Sequence, residues 1–133
     1  NKVVNKMIGG DAFSKWLGIK VLEINEGSCI LEMNVRDEMT NGFHIAHGGI
    51  AYSFADSALA FAANSYGIKS MSIETSISHT KKVISGDTLK AITKEINKSK
   101  KMAIYYITIT NQNDIEVAHF KGTVYSTDKK WFD

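Results

Sequence analysis

A histidine followed by two glycines opens the most chemically suggestive segment of the chain. His47, Gly48 and Gly49 precede a run of apolar and small residues over positions 50–63, which contains one acid, Asp56. A helix that is apolar on nearly every side is normally buried in a core, and a carboxylate is costly to desolvate there unless it has a partner. Glycines at a helix start can leave backbone N–H groups uncovered. The segment therefore predicts an active site that uses a carboxylate and free backbone donors.

Composition and charge limit the classes of protein to which the chain can belong. Its 133 residues fit a single domain with a sizeable core. A net charge of +2, with Lys and Glu interspersed, gives no argument for nucleic-acid binding. The longest apolar stretch is shorter than the ~20 residues that a membrane-spanning helix needs. The single cysteine, Cys29, excludes an intrachain disulfide and fits a reducing compartment. We expect a cytoplasmic protein with neither a nucleic acid nor a membrane as partner.

Hydrophobic periodicity predicts one long helix between two groups of strands. Residues 1–16 have helical spacing interrupted by two glycines, and a central helix is predicted over residues 48–66. Strand-like segments separated by polar turns, which favour antiparallel pairing, occupy residues 18–24, 28–35, 71–80, 87–96, 102–110 and 115–127. The expected architecture is α+β, a single domain over residues 1–133 in which a curved antiparallel sheet wraps around one apolar helix.

Several short motifs, in order along the chain, resemble one known family. They are Asn41-Gly42, His47-Gly48-Gly49, Ala55-Asp56, Asn64-Ser65, Gly86-Asp87-Thr88-Leu89 and Val117-Ala118-x-Phe120-x-Gly122-Thr123. Together they resemble the hotdog-fold acyl-CoA thioesterases of the phenylacetate-degradation (PaaI-like) type, over roughly residues 13–125. The resemblance implies a hotdog fold and a hydrolase of acyl-CoA thioesters, often aryl-acetyl ones, without metal or cofactor. It also implies a homo-oligomer, either a dimer or a dimer of dimers that forms a homotetramer.

The resemblance also assigns catalytic roles to four residues. It implies that Asp56 acts as nucleophile or as general base for water, and that the backbone N–H of Gly48 polarises the thioester carbonyl. Asn41 matches a position that orients substrate or water, and His47 matches a motif histidine whose role is catalytic or partly structural. Physical chemistry supports these roles. Desolvation raises the pKa of a carboxyl group, which makes the carboxylate a better base and nucleophile than it would be in water. A helix N-terminus likewise offers N–H donors to a developing oxyanion.

The spacing of Gly48 and Asp56 predicts a site that two subunits share. The two residues are eight positions apart, which corresponds to ~12 Å along a helix at ~1.5 Å per residue. One carbonyl cannot comfortably contact both residues of a single helix. We therefore expect Gly48 of one subunit to face Asp56 of another across a two-fold axis.

A second set of residues is predicted to contact the substrate: Gly49, Tyr52, Glu74, Lys81 and Lys82. Lys81 and Lys82 follow a strand and are expected to meet the CoA phosphates, with the lysines of residues 98–101 as the alternative group. Relatives commonly have an aromatic–aliphatic–basic–Pro run where this chain has His79-Thr80-Lys81-Lys82. Glu74 lies where relatives often have a small or hydroxyl residue, and it would change the charge of the site if it faced inward.

Aromatic and sulfur-containing side chains are candidates for the acyl pocket. Tyr52, Phe54, Phe61 and Met71 are the candidate lining residues, although aromatics at helical spacing are more often plain core. Cys29 lies in an alternating strand pattern and is interpreted as core, without any sign of an activated thiolate.

Alternative functions remain open from the sequence alone. A non-catalytic acyl-CoA sensor could share the fold, although the acid at position 56 argues against it. A hotdog dehydratase would need a different arrangement of histidine and acid, and a purely structural oligomer would need no acid on the helix. No cysteine or acid completes a metal-binding set with His44 and His47, so no metal site is predicted.

Overall fold

Six antiparallel strands form one sheet that curves around a long helix. The structure, a computed structural model, describes residues 1–133. Helices α1, α2 and α3 cover Lys2–Gly10, Ala12–Leu17 and Gly48–Asn64. Strands β1 to β6 cover Lys20–Asn25, Ser28–Asn34, Ile68–His79, Thr88–Lys98, Met102–Thr110 and Glu116–Lys130. Their order in the sheet is β1-β2-β4-β5-β6-β3, and all neighbouring strands are antiparallel. The α+β hotdog architecture predicted from the sequence is confirmed.

Helix α3 is the centre of the hydrophobic core. Its alanines and phenylalanines have no polar atoms to satisfy, so the helix can be enclosed by the sheet on most of its circumference. Phe54 and Phe61 are fully buried in this core. The sheet contributes alternate side chains of each strand, because successive residues of a strand point to opposite faces. In β2 the buried residues are Cys29, Leu31 and Met33, as their alternation predicts. None of the three helices has the length and apolar character that crossing a bilayer requires.

A close approach of α3 to the sheet depends on a glycine in β6. An added Cβ at Gly122 would lie 2.5 Å from Cδ2 of Leu59 and 3.2 Å from its Cγ. Leu59 itself is buried in α3 and cannot swing out to solvent. The absence of a side chain at Gly122 therefore lets Leu59 of the helix rest directly on the backbone of the sheet.

The N-terminal helical segment predicted over residues 1–16, with an interruption at its two glycines, forms two helices. It consists of α1 and α2, with Asp11 between them in a non-helical conformation. The Asp11 carboxylate accepts the backbone N–H of Ser14 at 2.9 Å. This contact caps the start of α2, and a short side chain that bonds to nearby backbone competes with helix continuation.

The central helix ends at Asn64, two residues before the predicted end at residue 66. The Asn64 side chain accepts the backbone N–H of Ser70 at 2.8 Å and donates to the Ser70 carbonyl at 3.0 Å. These bonds tie the helix end to β3, which consequently starts at Ile68, three residues earlier than expected. Strand β6 continues to Lys130, beyond its predicted end at residue 127, because Lys130 pairs with Ile68 at the start of β3.

Substitution of Gly122 by alanine is expected to destabilise the fold. The new methyl group would overlap Leu59, and overpacking of a close-packed core typically costs about 1–3 kcal/mol. Chemical denaturation of both proteins at equal concentration measures the difference in the free energy of unfolding. Gly9→Ala is the matched control, because nothing lies within 4 Å of the added atom. In a helix this change should be neutral or stabilise by up to about 1 kcal/mol. Equal stability of Gly122→Ala and wild type would contradict the close approach.

Candidate active site

The loop that leads into α3 is held by backbone hydrogen bonds on both sides. The N–H of Ala46 donates to the carbonyl of Val83 at 2.7 Å, and the N–H of His47 donates to the carbonyl of Met39 at 2.8 Å. The Asn41 side-chain oxygen accepts the N–H of Phe43 at 2.9 Å, which forms an Asx turn. This turn uses the oxygen of the Asn41 amide and leaves its NH2 group available to a ligand.

His47 caps the start of α3. Its Nδ1 accepts the backbone N–H of Gly49 at 2.8 Å, so Nδ1 is unprotonated in this contact and a neutral ring has its proton on Nε2. The cap occupies the N–H of Gly49, whereas the N–H of Gly48 has no acceptor within the chain. His47 therefore has a structural role as the N-cap of α3. The free donor at the helix N-terminus is the N–H of Gly48.

A cleft of about 160 Å³ opens at this helix start and is called the Gly48 cleft below. It brings together residues that the sequence analysis named separately, and its polar lining consists of Asn41, His47, Gly48, His79, Lys81 and Lys82. Lys81 and Lys82 reach it because the segment after β3 runs beside the loop, where Val83 bonds Ala46. The cleft combines a free backbone donor with two cationic side chains, which suits an anionic ligand.

His79 also lines this cleft, although no functional role is predicted for it from the sequence. Its Nε2 lies 3.5 Å from the position that a Cβ on Gly48 would occupy. His79 is the last residue of β3 and lies on an edge strand whose register with β6 pairs it with Ala118. The sequence contained one sign that this position matters: His79 stands where relatives commonly have an aromatic residue.

Asp56 lines a different cleft, called the Asp56 cleft below. It has a volume of about 250 Å³ and lies between α3, β3, α1 and the segment after β6. Its lining is mainly apolar and consists of Met7, Asp56, Leu59, Ala60, Ala63, Asn64, Ser70, Met71, Ser72, Val124 and Trp131. No residue lines both clefts. Within one chain, therefore, the Gly48 N–H and the Asp56 carboxylate do not face a common space.

The carboxylate of Asp56 is half-buried and has no hydrogen-bond partner in the chain. Burial is the main cause that raises its pKa above the ordinary value of 3.8, and the negative charge of Asp11 adds to the effect. Asp11 is kept near α3 through Ser14, whose hydroxyl bonds Asp11 at 2.6 Å and the hydroxyl of Ser57 at 2.8 Å. The break between α1 and α2 thus brings a second acid to the vicinity of Asp56.

The other predicted substrate contacts are dispersed. Tyr52 bonds Thr75 through its hydroxyl, and its ring packs edge-on against Phe120 at 5.5 Å between centroids. Neither Tyr52 nor Glu74 lines either cleft, and Glu74 is exposed on β3 beside a bulge. Of the candidates for the acyl pocket, only Met71 lines the Asp56 cleft.

The two groups of lysines lie at opposite ends of α3. Lys98 stands over the ring of Tyr66, which follows the helix, with 4.6 Å between Nζ and the centroid. Lys101 pairs with Asp128 at 2.6 Å. Lys81 and Lys82, by contrast, line the Gly48 cleft at the helix start. Burial raises the pKa of the Cys29 thiol to about 11, which agrees with its interpretation as an inert core residue. No three His, Cys, Asp or Glu side chains converge as metal ligands.

Comparison with known proteins identifies the family. Residues 43–118, which include the helix α3 and most of both clefts, match the model of the thioesterase superfamily. The chain belongs to the thioesterase superfamily. This confirms the resemblance seen in the motifs, and with it the prediction of a thioester hydrolase.

Individual proteins match nearly the whole chain. A protein of Archaeoglobus fulgidus is 37% identical over 128 residues, which cover 96% of this chain and 83% of that protein. The acyl-coenzyme A thioesterase PaaI of Escherichia coli is 36% identical over 116 residues, which cover 87% of this chain and 83% of that protein. The solved structure of E. coli PaaI superposes with a TM-score of 0.95 at 32% identity and covers 97% of this chain and 94% of that one.

A ligand is bound in some of the solved structures that match. A Streptococcus mutans protein bound to acetyl-CoA superposes with a TM-score of 0.81 at 26% identity and covers 84% of this chain and 90% of that one.

Replacing Asp56 by asparagine is expected to stabilise the fold at neutral pH. A carboxyl whose pKa is raised on folding binds more protons in the folded than in the unfolded state, between 3.8 and the raised value. Wild-type stability should therefore increase as the pH falls through that window, and the charged form should cost stability above it. The variant should melt at a higher temperature at pH 7, and this advantage should disappear as the pH approaches 3.8.

Asp128→Asn is the control for this measurement. Asp128 is exposed, and the ion pair with Lys101 lowers its pKa, so the same chemical change there should give no gain at pH 7. An Asp56→Asn protein that melts below wild type at pH 7 would contradict the desolvation of this carboxylate.

Proposed function

We propose that the protein is an acyl-CoA thioesterase that hydrolyses acyl-CoA, including aryl-acyl thioesters, to a free acid and CoA. The observation that carries this proposal is an unpaired, half-buried carboxylate on the same helix whose N-terminus offers a free N–H to a basic cleft. The acyl-CoA thioesterase named among the relatives and the acetyl-CoA bound to another relative support the same substrate class.

The proposed reaction divides the chemistry between Gly48 and Asp56. Asp56 takes a proton from a water molecule as the water oxygen attacks the thioester carbonyl, or attacks that carbon itself to form a mixed anhydride that water then hydrolyses. The Gly48 N–H donates to the carbonyl oxygen as it becomes an oxyanion. Collapse of the tetrahedral intermediate breaks the C–S bond and releases CoA thiolate. In the general-base route the proton held by Asp56 neutralises this thiolate, whereas in the covalent route the thiolate takes a proton from solvent. Desolvation makes the carboxylate a stronger base for this task.

We propose that each active site is built from two subunits. Three observations support this: the two clefts have no residue in common, the helix separates Gly48 from Asp56, and β3 presents an unpaired edge. Met71 and Ile73 on that edge are 60% and 57% exposed. An exposed apolar edge strand is a common subunit interface. A two-fold axis would let the Gly48 cleft of one subunit meet the Asp56 cleft of the other in a dimer or a dimer of dimers.

The basic side of the site would bind CoA. Lys81 and Lys82 can pair with its phosphates, while the NH2 group of Asn41 can donate to the substrate or to water. The cap between His47 and Gly49 would hold the Gly48 N–H in place. We also propose a cytoplasmic location, which the reduced Cys29 and a CoA-linked substrate support.

Removal of the Asp56 carboxylate should abolish most of the hydrolysis. Asp56→Ala and Asp56→Asn are expected to lower kcat by roughly a hundredfold or more, the scale of losing a catalytic base or nucleophile. Release of free CoA thiol from aryl-acetyl, short and medium acyl-CoA measures the effect. Binding of CoA esters by wild type without turnover would instead favour a non-catalytic acyl-CoA sensor.

Replacement of Gly48 by proline should remove the oxyanion donor without breaking the helix. Gly48 is the first residue of α3, where proline is tolerated, and His47 has φ −57° and ψ 139°, which a following proline permits. The expected loss is about 10²–10³-fold in kcat. Gly48→Ala is the matched control, because it retains the N–H and its Cβ would meet His79 only at an ordinary 3.5 Å. Equal activities of the two variants would contradict a role for this N–H.

Hybrid oligomers test whether two subunits share the site. Mixed Asp56→Asn and Gly48→Pro subunits would have one intact site in each heterodimer, so purified heterodimers should have about half of the wild-type activity and a randomly paired co-expressed mixture about a quarter. Inactive hybrids would show that Gly48 and Asp56 act from the same chain.

A further inference from the structure

The Asp56 cleft differs in chemistry from the Gly48 cleft. Its lining contains no lysine or arginine, and its one charged group is the carboxylate of Asp56. The Gly48 cleft, by contrast, contains Lys81 and Lys82. The phosphates of CoA are therefore disfavoured in the Asp56 cleft, whereas an uncharged organic group can occupy it beside the carboxylate.

The one amide side chain that lines this cleft, that of Asn64, already has hydrogen-bond partners within the chain. Asn64 is buried, its NH2 group donates to the carbonyls of Ala60 and Ser70, and its oxygen accepts the N–H of Ser70. The same oxygen accepts the indole N–H of Trp131 at 2.9 Å. Because all of its hydrogen-bonding capacity is used, Asn64 offers nothing to a polar ligand. The cleft is thus suited to an apolar one.

Two residues from outside the helix and sheet core close the cleft. Met7 of α1 and Trp131 of the segment after β6 both line it. Trp131 is fixed by its bond to Asn64 and by donation of its backbone N–H to the carbonyl of Gly67 at 2.9 Å. Helix α1 is joined to this segment by Lys6, whose amino group donates to the carbonyl of Trp131 at 3.4 Å. The indole is a rigid wall, and Met7 is a flexible one.

We propose that the Asp56 cleft binds the acyl group of the thioester, and that Met7 and Trp131 determine the length of acyl group that is accepted. This inference rests on the proposed thioesterase function. A cavity of about 150 Å³ accommodates benzene. The 250 Å³ of this cleft therefore accommodates a ring with a short linker, as in an aryl-acetyl group, or an aliphatic acyl group of about six to eight carbons. Acetyl groups leave it largely empty, and long chains meet Trp131.

Enlarging and narrowing the cleft should shift selectivity in opposite directions. Trp131→Ala removes the rigid wall and should raise the ratio of kcat/KM for dodecanoyl-CoA to kcat/KM for hexanoyl-CoA by about tenfold or more. A change in how well an acyl group fits an apolar pocket typically alters the discrimination between substrates by about this factor. Met7→Phe fills the cleft and should lower kcat/KM for hexanoyl-CoA and phenylacetyl-CoA relative to acetyl-CoA by a similar factor. Trp131→Phe retains an aromatic wall without the bond to Asn64 and should lie closer to wild type.

The control for these variants is an exposed residue that lines neither cleft. Leu22 is exposed on β1, so Leu22→Ala should leave the selectivity profile unchanged. General loss of stability cannot imitate opposite shifts in two variants. If wild type hydrolyses these esters and all variants retain its profile, the acyl pocket inference is overturned while the thioesterase function stands. If wild type hydrolyses none of them, the proposed function fails and the inference fails with it.

Discussion

The enclosure of helix α3 by the sheet is the constraint on which the rest of the structure depends. A helix surrounded by strands must be apolar on most of its circumference, and either the helix or the sheet must present a small residue where the two come close together. Gly122 and Leu59 show how tight this contact is, since no Cβ fits between them. Functional groups therefore occur where the enclosure is incomplete. One such place is the exposed start of the helix at Gly48, and the other is the half-buried part of the helix at Asp56, which lines the Asp56 cleft.

The two functional groups of the helix contribute opposite electrostatic properties. The start of α3 offers a free N–H and the positive end of the helix dipole, and lysines from the segment after β3 increase the positive potential there. Asp56 lies among apolar side chains, where burial and the nearby Asp11 raise the pKa of its carboxyl group. The folded chain tolerates an unpaired acid at a cost in stability. Such a cost is common where a group is retained for chemistry rather than for packing.

About half of helix α3 separates these groups, and the proposal of a site shared between two subunits rests on this separation. The Gly48 cleft has the donor and the cationic side chains, whereas the Asp56 cleft has the carboxylate and an apolar interior. In the proposed dimer the first would hold the CoA part of the substrate and the second its acyl part. The thioester bond would then lie at the junction between subunits, with both catalytic groups within reach. Assembly and catalysis would be coupled in this arrangement.

The sequence by itself determined the elements, and only the tertiary structure decided how they combine. The apolar run with Asp56, the glycines at its start and the alternation of Cys29, Leu31 and Met33 are local patterns, so they predicted α3, the free donor and the buried face of β2. The proximity of His79 to Gly48 depends on where β3 ends against a helix start thirty-one positions earlier. The placement of Asp11 beside α3 and the closure of the Asp56 cleft by Trp131 likewise depend on contacts between distant segments. Periodicity indicates which face of an element is buried. Long-range contacts, which no local pattern specifies, set the strand register and the packing of chain segments on one another.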